Sequence, residues 1–503
     1  MNLILLFLLG IITYLIVQRV SSVTRTPTWL LWLVVMMPAF IWNGWALVKG
    51  NEKPPPELFI IPFIVCLMLY WFLIQWGRIS TPPAVNSSAS QEEGQTPRTP
   101  TESSGDATIS RPINKAEENS LHHCFPWSVY YLQNIELRPQ AVICRGQLRS
   151  KPEVAYQTIR DNIEDQFGDR FYVVFQEEAD DKPVFVLVPN PQSRSAAKAD
   201  PTRARPLEPV TRPVLALGLL GATFFTTAFA WAELADQPVR FNLEALMAGL
   251  PYAIALMTIL GIHELGHYLT ARRYRIQATL PYFIPVIPMS LFPFGTFGAF
   301  IQIRSPIPNR RALFDVGIAG PLWGFIVALP LLLWGLAHSD LVSMPAKPDM
   351  FNFQAFDPSF SILLALLSKL AMGSSLTATN AIRLHPVAVA GCLGMVVTAF
   401  NLMPVGQLDG GHIIHAMYGQ RSGARIGQVA RILLLLLSFA QPQLPYLMVW
   451  AVILFLLPAT DEPALNDVTE LDNRRDLWGI LTMALLLLII LPVPNFLAQW
   501  LNI

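Results

Sequence analysis

Cysteine is scarce: Cys66, Cys124, Cys144 and Cys392 are the only four in 503 residues, and no two form a CxxC pair. That spacing excludes a disulfide framework. His122, His123, Cys124 and Cys144 raise the idea of a zinc site, but the second close pair such sites use is missing. Charge is scarce as well. Asp, Glu, Lys and Arg make up 14% of the chain against 53% hydrophobic residues, and the formal net charge is zero. Such a composition indicates a membrane protein, and the neutral balance argues against nucleic acid as a partner. A third absence is local. From Leu265 to Phe314 there is no Asp, no Glu and no His other than His267.

Long apolar runs are plentiful. They fall at residues 3–18, 28–48, 57–76, 213–233, 245–269, 314–337, 385–406, 429–440, 445–459 and 477–494, most of them near the length a bilayer demands. The first has no basic residue before it and no small-residue cleavage site after it, so it reads as an anchor. The expected fold is an α-helical polytopic membrane protein of about ten transmembrane helices, with a re-entrant β-like loop and a small soluble α+β domain. Residues 1–78 form an amino-terminal three-span region, and residues 79–115, rich in Ser, Thr, Pro, Gln and Gly, a disordered linker. Residues 116–190 form the soluble domain, 191–212 a second linker, and 213–503 the principal membrane domain.

Within the soluble domain, Ser150-Lys-Pro-Glu153 has the pattern of a capping box. Ala155, Ile159, Ile163 and Phe167 then make an apolar helical stripe, ended by Gly168. Residues 171–175 and 184–188 read as strands joined by an Asp/Lys/Pro turn. No catalytic set is visible there.

Arg19 and Arg25, Arg272, Arg273 and Arg275, Arg304, Arg310 and Arg311, and Arg421, Arg425 and Arg431 all fall on one side when the spans alternate. The bias toward positive charge makes that side cytoplasmic, with Lys49 and Lys53 dissenting.

The feature that decides the chemistry is His263-Glu264-Leu265-Gly266-His267, inside the 245–269 run. Residues four apart share a helix face, so both imidazoles can point at one ion. This is the HExxH arrangement, in which two His ligands leave room for a water that the Glu deprotonates. A Glu and two His at bilayer depth are costly unless they serve a function. The alternative is a pair of buried histidines bonded to a neighbouring helix, and a third ligand decides between them. The acid-free stretch after His267 excludes the nearby downstream ligand that soluble proteases of this pattern use. Asp315 sits at the start of a span beside Arg310 and Arg311, where a helix N-terminus accounts for an acid. His338, Asp340, Asp349 and Asp357 fall on the opposite side of the membrane. Asp409 remains, behind the helix breakers Pro404 and Gly406 and before two glycines that permit close approach. His412 competes as a ligand but suits a supporting or substrate-side role better, and His415 is expected outside the site.

The two segments together resemble the site-2 protease family of intramembrane zinc metalloproteases. HELGH matches its first motif, and Asn401-Leu-Met-Pro-Val-Gly-Gln-Leu-Asp409-Gly410 its N-x-x-P-x-x-x-x-D-G motif. Phe294-Gly-Thr-Phe-Gly298 and Ala319-Gly-Pro-Leu-Trp-Gly324 are also similar to family segments. The long amino-terminal extension and the Asn-Arg-Arg before Phe314 look most like the cyanobacterial and chloroplast branch, and no PDZ-like insertion is visible. The resemblance implies one Zn2+ per chain held by His263, His267 and Asp409, with Glu264 as general base and Asn401 bonding substrate backbone or the oxyanion. The substrate would be a transmembrane protein, unwound before cleavage. Residues 277–304 offer a device for that, because Pro281, Pro285, Pro288, Pro293, Gly295 and Gly298 forbid a continuous helix. A β-hairpin-like loop, with residues 300–304 alternating as a strand, could pair with unwound substrate near Gly295 and Gly298. The rivals are an intramembrane zinc or cation transporter and a catalytically silent scaffold.

Overall fold

The computed structural model describes residues 113–178, 182–190, 212–235, 242–288, 293–344, 352–441, 445–458 and 460–503, together with 27–49 and positions 10, 13, 14, 62, 66, 69, 73, 193 and 237. The chain divides into two compact units, Met1–Gly105 and Asp106–Ile503. In the first, helix α1 (Thr28–Lys49) is apolar and contains Pro38. The indole of Trp32 donates to the carbonyl of Gly10 at 2.8 Å. The runs expected at 3–18 and 57–76 fall mostly outside the described residues.

The second unit opens with a layer of four strands and two helices. Helix α2 (Lys115–His123) is followed by β1 (Tyr130–Arg138), β2 (Ala141–Leu148), α3 (Pro152–Phe167), β3 (Phe171–Glu177) and β4 (Pro183–Pro189). The strands form one antiparallel sheet in the order β1-β2-β4-β3. Ala155, Ile159 and Ile163 of α3 are buried against Tyr130, Val142, Cys144, Phe175 and Phe185. The expected capping box does not form. A residue before proline is driven out of the helical region, so Lys151 takes ψ 140° and becomes the cap, while Pro152 occupies the first helical turn. Ser150 is left one residue too early. A genuine capping box forms instead at Asn114 and Glu117. Burial pushes the Cys144 thiol up to about 12, and its side chain has no exposed surface. We therefore expect maleimide at pH 8 to leave Cys144 unmodified in the folded protein and to label it only on denaturation, since the thiolate is the reactive form. Mass spectrometry of the labelled chain checks this.

The membrane part is helical. Among the described residues four helices are long and apolar enough to cross a bilayer: α4 (Pro213–Leu234), α5 (Leu243–Arg273), α6 (Arg310–Ala337) and α10 (Gln420–Ala440). Between α5 and α6 lies a hairpin of β5 (Tyr282–Pro285) and β6 (Thr296–Phe300). After α6 come β7 (Asp340–Ser343), α7 (Ile362–Met372), β8 (Asn380–Arg383), α8 (Pro386–Asn401) and α9 (Asp409–Tyr418). After α10 come α11 (Pro445–Leu456), α12 (Asn473–Ile490) and α13 (Asn495–Leu501). The α12–α13 pair is bent by 79° and makes a fifth span only if the two helices are taken as one, because Pro492 and Pro494 break it. The 385–406 run yields a helix of only 16 residues, about 24 Å at 1.5 Å per residue, since the chain breaks after Asn401. The 429–440 run is longer than its apolar part, because the polar residues from Gln420 onward are helical too. Leu217, Phe225, Met247, Ile254, Trp323, Ile326, Leu433 and Phe439 are exposed on the four long helices, an outer surface suited to lipid rather than water.

Candidate metal centre

Helix α5 starts at Asn242, whose side chain accepts from the Ala245 amide at 2.9 Å. It runs 31 residues and carries His263, Glu264 and His267 buried on its inner face. His263 Nε2 and His267 Nε2 lie 3.3 Å apart. Asp409 Oδ2 is 3.5 Å from the first and 3.3 Å from the second. Ligand atoms on a tetrahedral zinc, with bonds of about 2.0–2.1 Å, are separated by about 3.3–3.4 Å. The three side chains thus stand at the corners a metal ion requires. No other group of three His, Cys, Asp or Glu side chains converges in this way among the described residues.

Two neighbouring elements impose this arrangement. The imidazole of His267 donates from Nδ1 to the carbonyl of Val316 on α6 at 2.8 Å, which leaves the Nε2 lone pair free for a metal. Helix α6 comes this close because its facing residues are small. A Cβ on Gly320 would sit 2.0 Å from His267 Nε2, and one on Gly324 would sit 3.1 Å from His263. The turn between α8 and α9 presents Asp409. A Cβ on Gly410 would lie 1.9 Å from the Leu402 carbonyl, so this fold of the chain admits only glycine there. Asp409 occupies the first turn of α9, where the helix dipole favours a carboxylate.

The group opens into a cavity of about 250 Å³ lined by Glu264, Phe300, Ile301, Asn401, Gln407 and His412 besides the three ligands. The Glu264 carboxylate faces the backbone amide of Ile301, and Asn401 Nδ2 is 3.2 Å from His263 Nε2. His412 Nδ1 is 2.8 Å from Asp461 Oδ2. Gly295 and Gly298 are not among the lining residues. Gly295, at φ 78°, packs on α4 with its carbonyl accepting from Thr226 Oγ1 at 2.7 Å. Gly298, at φ 98°, turns the strand with open space where a Cβ would stand. The strand that meets the cavity is one step further on, at Ala299, Phe300 and Ile301. The loop is a hairpin, with its regular strand at Thr296–Phe300 and the ladder continued by Gln302 and Arg304 bonding to Thr279 and Gln277.

Asp315 is not at the metal group. It accepts from Arg475 Nε and Nη2 at 2.7 Å each, and from the Tyr274 hydroxyl. Its partner is therefore a distant arginine rather than the start of its own helix. His415 lies outside the metal group but is fully engaged: Nδ1 to Asp461 at 2.7 Å and Nε2 to Asp467 at 2.9 Å. Sequence reasoning missed both acids, which lie 46 and 52 residues away along the chain. It also missed the Gly317/Gly320/Gly324 face, whose small-residue spacing was a readable signal of close helix approach.

A carboxylate and two imidazoles converging inside a helix bundle, with a glutamate beside them, define a candidate metal site of the HExxH class. Residues 251–441 match the model of peptidase family M50, and residues 119–195 match the EGY3 middle domain. The chain is 32% identical over 381 residues to "Probable zinc metalloprotease EGY2, chloroplastic" of Arabidopsis thaliana, covering 74% of this chain and 63% of that protein. It is 35% identical over 262 residues to "Probable zinc metalloprotease EGY1, chloroplastic" of the same plant, covering 50% and 44%. To "Probable zinc metallopeptidase EGY3, chloroplastic" the identity is 24% over 396 residues. The chain thus spans somewhat under two thirds of the length of the first of these relatives. No solved structure matches it. The family match covers residues 251–441, and these relatives are zinc metalloproteases or metallopeptidases of the chloroplast by name.

Proposed function

We propose that this protein is an intramembrane zinc metalloprotease that hydrolyses peptide bonds within or near the transmembrane segments of other membrane proteins. The observation that carries the reading is the tetrahedral spacing of His263, His267 and Asp409, with Glu264 at the same cavity. One zinc ion held by these three residues would lower the pKa of a bound water and polarise a carbonyl. The chain's own groups do the rest. Glu264 takes the water's proton on its carboxylate and delivers it to the departing amine nitrogen. Asn401 bonds substrate backbone from the side of His263. The Phe300–Ile301 edge supplies main-chain hydrogen bonds to an unwound substrate strand. Crosslinkers at residues 299–303 should capture a substrate helix, and a hairpin that never crosslinks would remove this docking mode.

The finer architecture belongs to the same proposal. It comprises about ten spans, with an amino-terminal region 1–78, linkers 79–115 and 191–212, a soluble domain 116–190 and a protease domain 213–503. The active site would open toward the cytoplasmic face of a plasma or thylakoid membrane, a side argued from the arginine clusters. A transporter is disfavoured because one ligand group stands alone among the described residues, whereas a path across the membrane needs a succession of sites. The test is cleavage of a panel of single-span proteins by the zinc-loaded full chain in detergent. Cleavage abolished by a chelator and restored by zinc supports the protease, and zinc flux in liposomes without cleavage overturns it.

A further inference from the structure

We propose that His412 is a further catalytic residue, hydrogen-bonding from Nε2 to the oxygen of the carbonyl under attack, and that Asp461 positions it. The inference rests on the protease reading above and adds a third side chain to Asn401 and Glu264.

His412 lies one turn beyond Asp409 on α9 and lines the same cavity as Glu264 and the three ligands. Its Nδ1 is committed to Asp461 Oδ2 at 2.8 Å, and its Nε2 has no hydrogen-bond partner among the described residues. A cavity-lining imidazole held from behind by a buried carboxylate is oriented toward whatever the cavity receives. His415 presents both ring nitrogens to carboxylates, Asp461 on one side and Asp467 on the other. Carboxylates only accept, so both nitrogens of His415 carry hydrogens and the ring is a cation. As an imidazolium, His412 keeps Nδ1 on Asp461 and has a second hydrogen on Nε2. Nε2 of that ring carries a hydrogen and donates. A donor placed where negative charge develops stabilises the transition state more than the ground state.

Asp461 holds its place because its segment is clamped from two sides. The Phe175 amide at the free edge of β3 donates to the Leu465 carbonyl at 2.7 Å, and the Asp467 amide donates to the Phe175 carbonyl at 2.8 Å. On the other side, Leu465 and Asn466 donate to the carbonyls of Ile307 and Pro308, just ahead of α6, at 2.9 and 3.1 Å. Residues 460–469 are thus a strap that completes the edge of the soluble sheet while carrying both acids of the His412–His415 cluster.

The test uses the zinc-loaded full chain in detergent with two readouts, cleavage of a single-span substrate and binding of a phosphinic peptide that mimics the tetrahedral transition state. His412→Ala should lower kcat about 100-fold, the scale of a lost oxyanion donor, with KM within about twofold and zinc still bound. His412→Gln, which keeps an N–H donor, should recover part of that loss. Phosphinic peptide affinity should fall in parallel with kcat, while affinity for a simple hydroxamate stays within about threefold, because only the tetrahedral mimic presents the oxygen concerned. Asp461→Asn should lower kcat about 10- to 100-fold, the scale of a supporting partner. His412→Ala leaves Asp461 paired with His415, so it decides the matter even if Asp461→Asn fails to fold. Unchanged kcat and phosphinic peptide affinity in His412→Ala would overturn the proposal and leave the protease intact. A wild type that holds zinc but neither cleaves nor binds the phosphinic peptide would overturn the protease reading, and the proposal with it.

Discussion

Glu264→Gln leaves bound zinc unchanged and lowers turnover of a single-span substrate by about 10²- to 10⁴-fold, the usual contribution of a positioned general base. Glutamine keeps the size and shape of the side chain, so the buried position is not emptied or overfilled. The three converging side chains His263, His267 and Asp409 are untouched, and Glu264 itself is not one of them. What is lost is a group able to take a proton from water and return it to the leaving nitrogen. The substituted amide can still accept a hydrogen bond, so it can orient water without deprotonating it. Metal analysis of the purified protein and a gel-based cleavage assay check both halves of this expectation. Retained cleavage in Glu264→Gln would sink the assigned role. Lost cleavage accompanied by lost zinc would instead recast Glu264 as part of the metal shell.

The metal group was legible in the sequence because its evidence is local or eliminative. His263 and His267 are four residues apart on one helix, and the acid-free interval after them leaves few carboxylates to choose from. Asp409 was reachable because Pro404 and Gly406 announce a break and Gly410 and Gly411 a close approach. The supporting groups were not legible, for a common reason. Val316, Gly320 and Gly324 act on the histidines across a helix contact, and Asp461 and Asp467 act on α9 from a strap that only tertiary folding brings there. Asp315 had a visible explanation in its own helix, yet Arg475, 160 residues away, is its partner. Within residues 116–190 the α3 stripe was plain, whereas β1 alternates too poorly between buried and exposed positions to declare itself. The Ser150 cap failed on a local rule, the effect of Pro152 on the residue before it.

Gly320→Ala should weaken zinc binding about 10- to 100-fold and lower proteolysis with it, without replacing any of the three converging side chains. The added methyl would stand 2.0 Å from His267 Nε2 and 2.5 Å from two ring carbons, well inside any van der Waals contact. A flexible side chain could step aside, but this imidazole is buried and tied by Nδ1 to Val316. Either the ring swings away, breaking that bond and leaving the tetrahedral corner, or α6 moves back from α5. Overpacking a core in this way costs about 1–3 kcal/mol, yet the larger loss is functional, since a ligand displaced by about 1 Å no longer completes the site and costs on the order of 100-fold. Gly218→Ala on α4 is the control. A Cβ there meets nothing within 4 Å, and Ala in place of helical Gly should stabilise by about 0.5–1 kcal/mol. Zinc titration of the two variants separates them. If Gly320→Ala binds zinc as the wild type does, the close approach of α6 is not what fixes His267, and the small-residue face must serve helix packing alone.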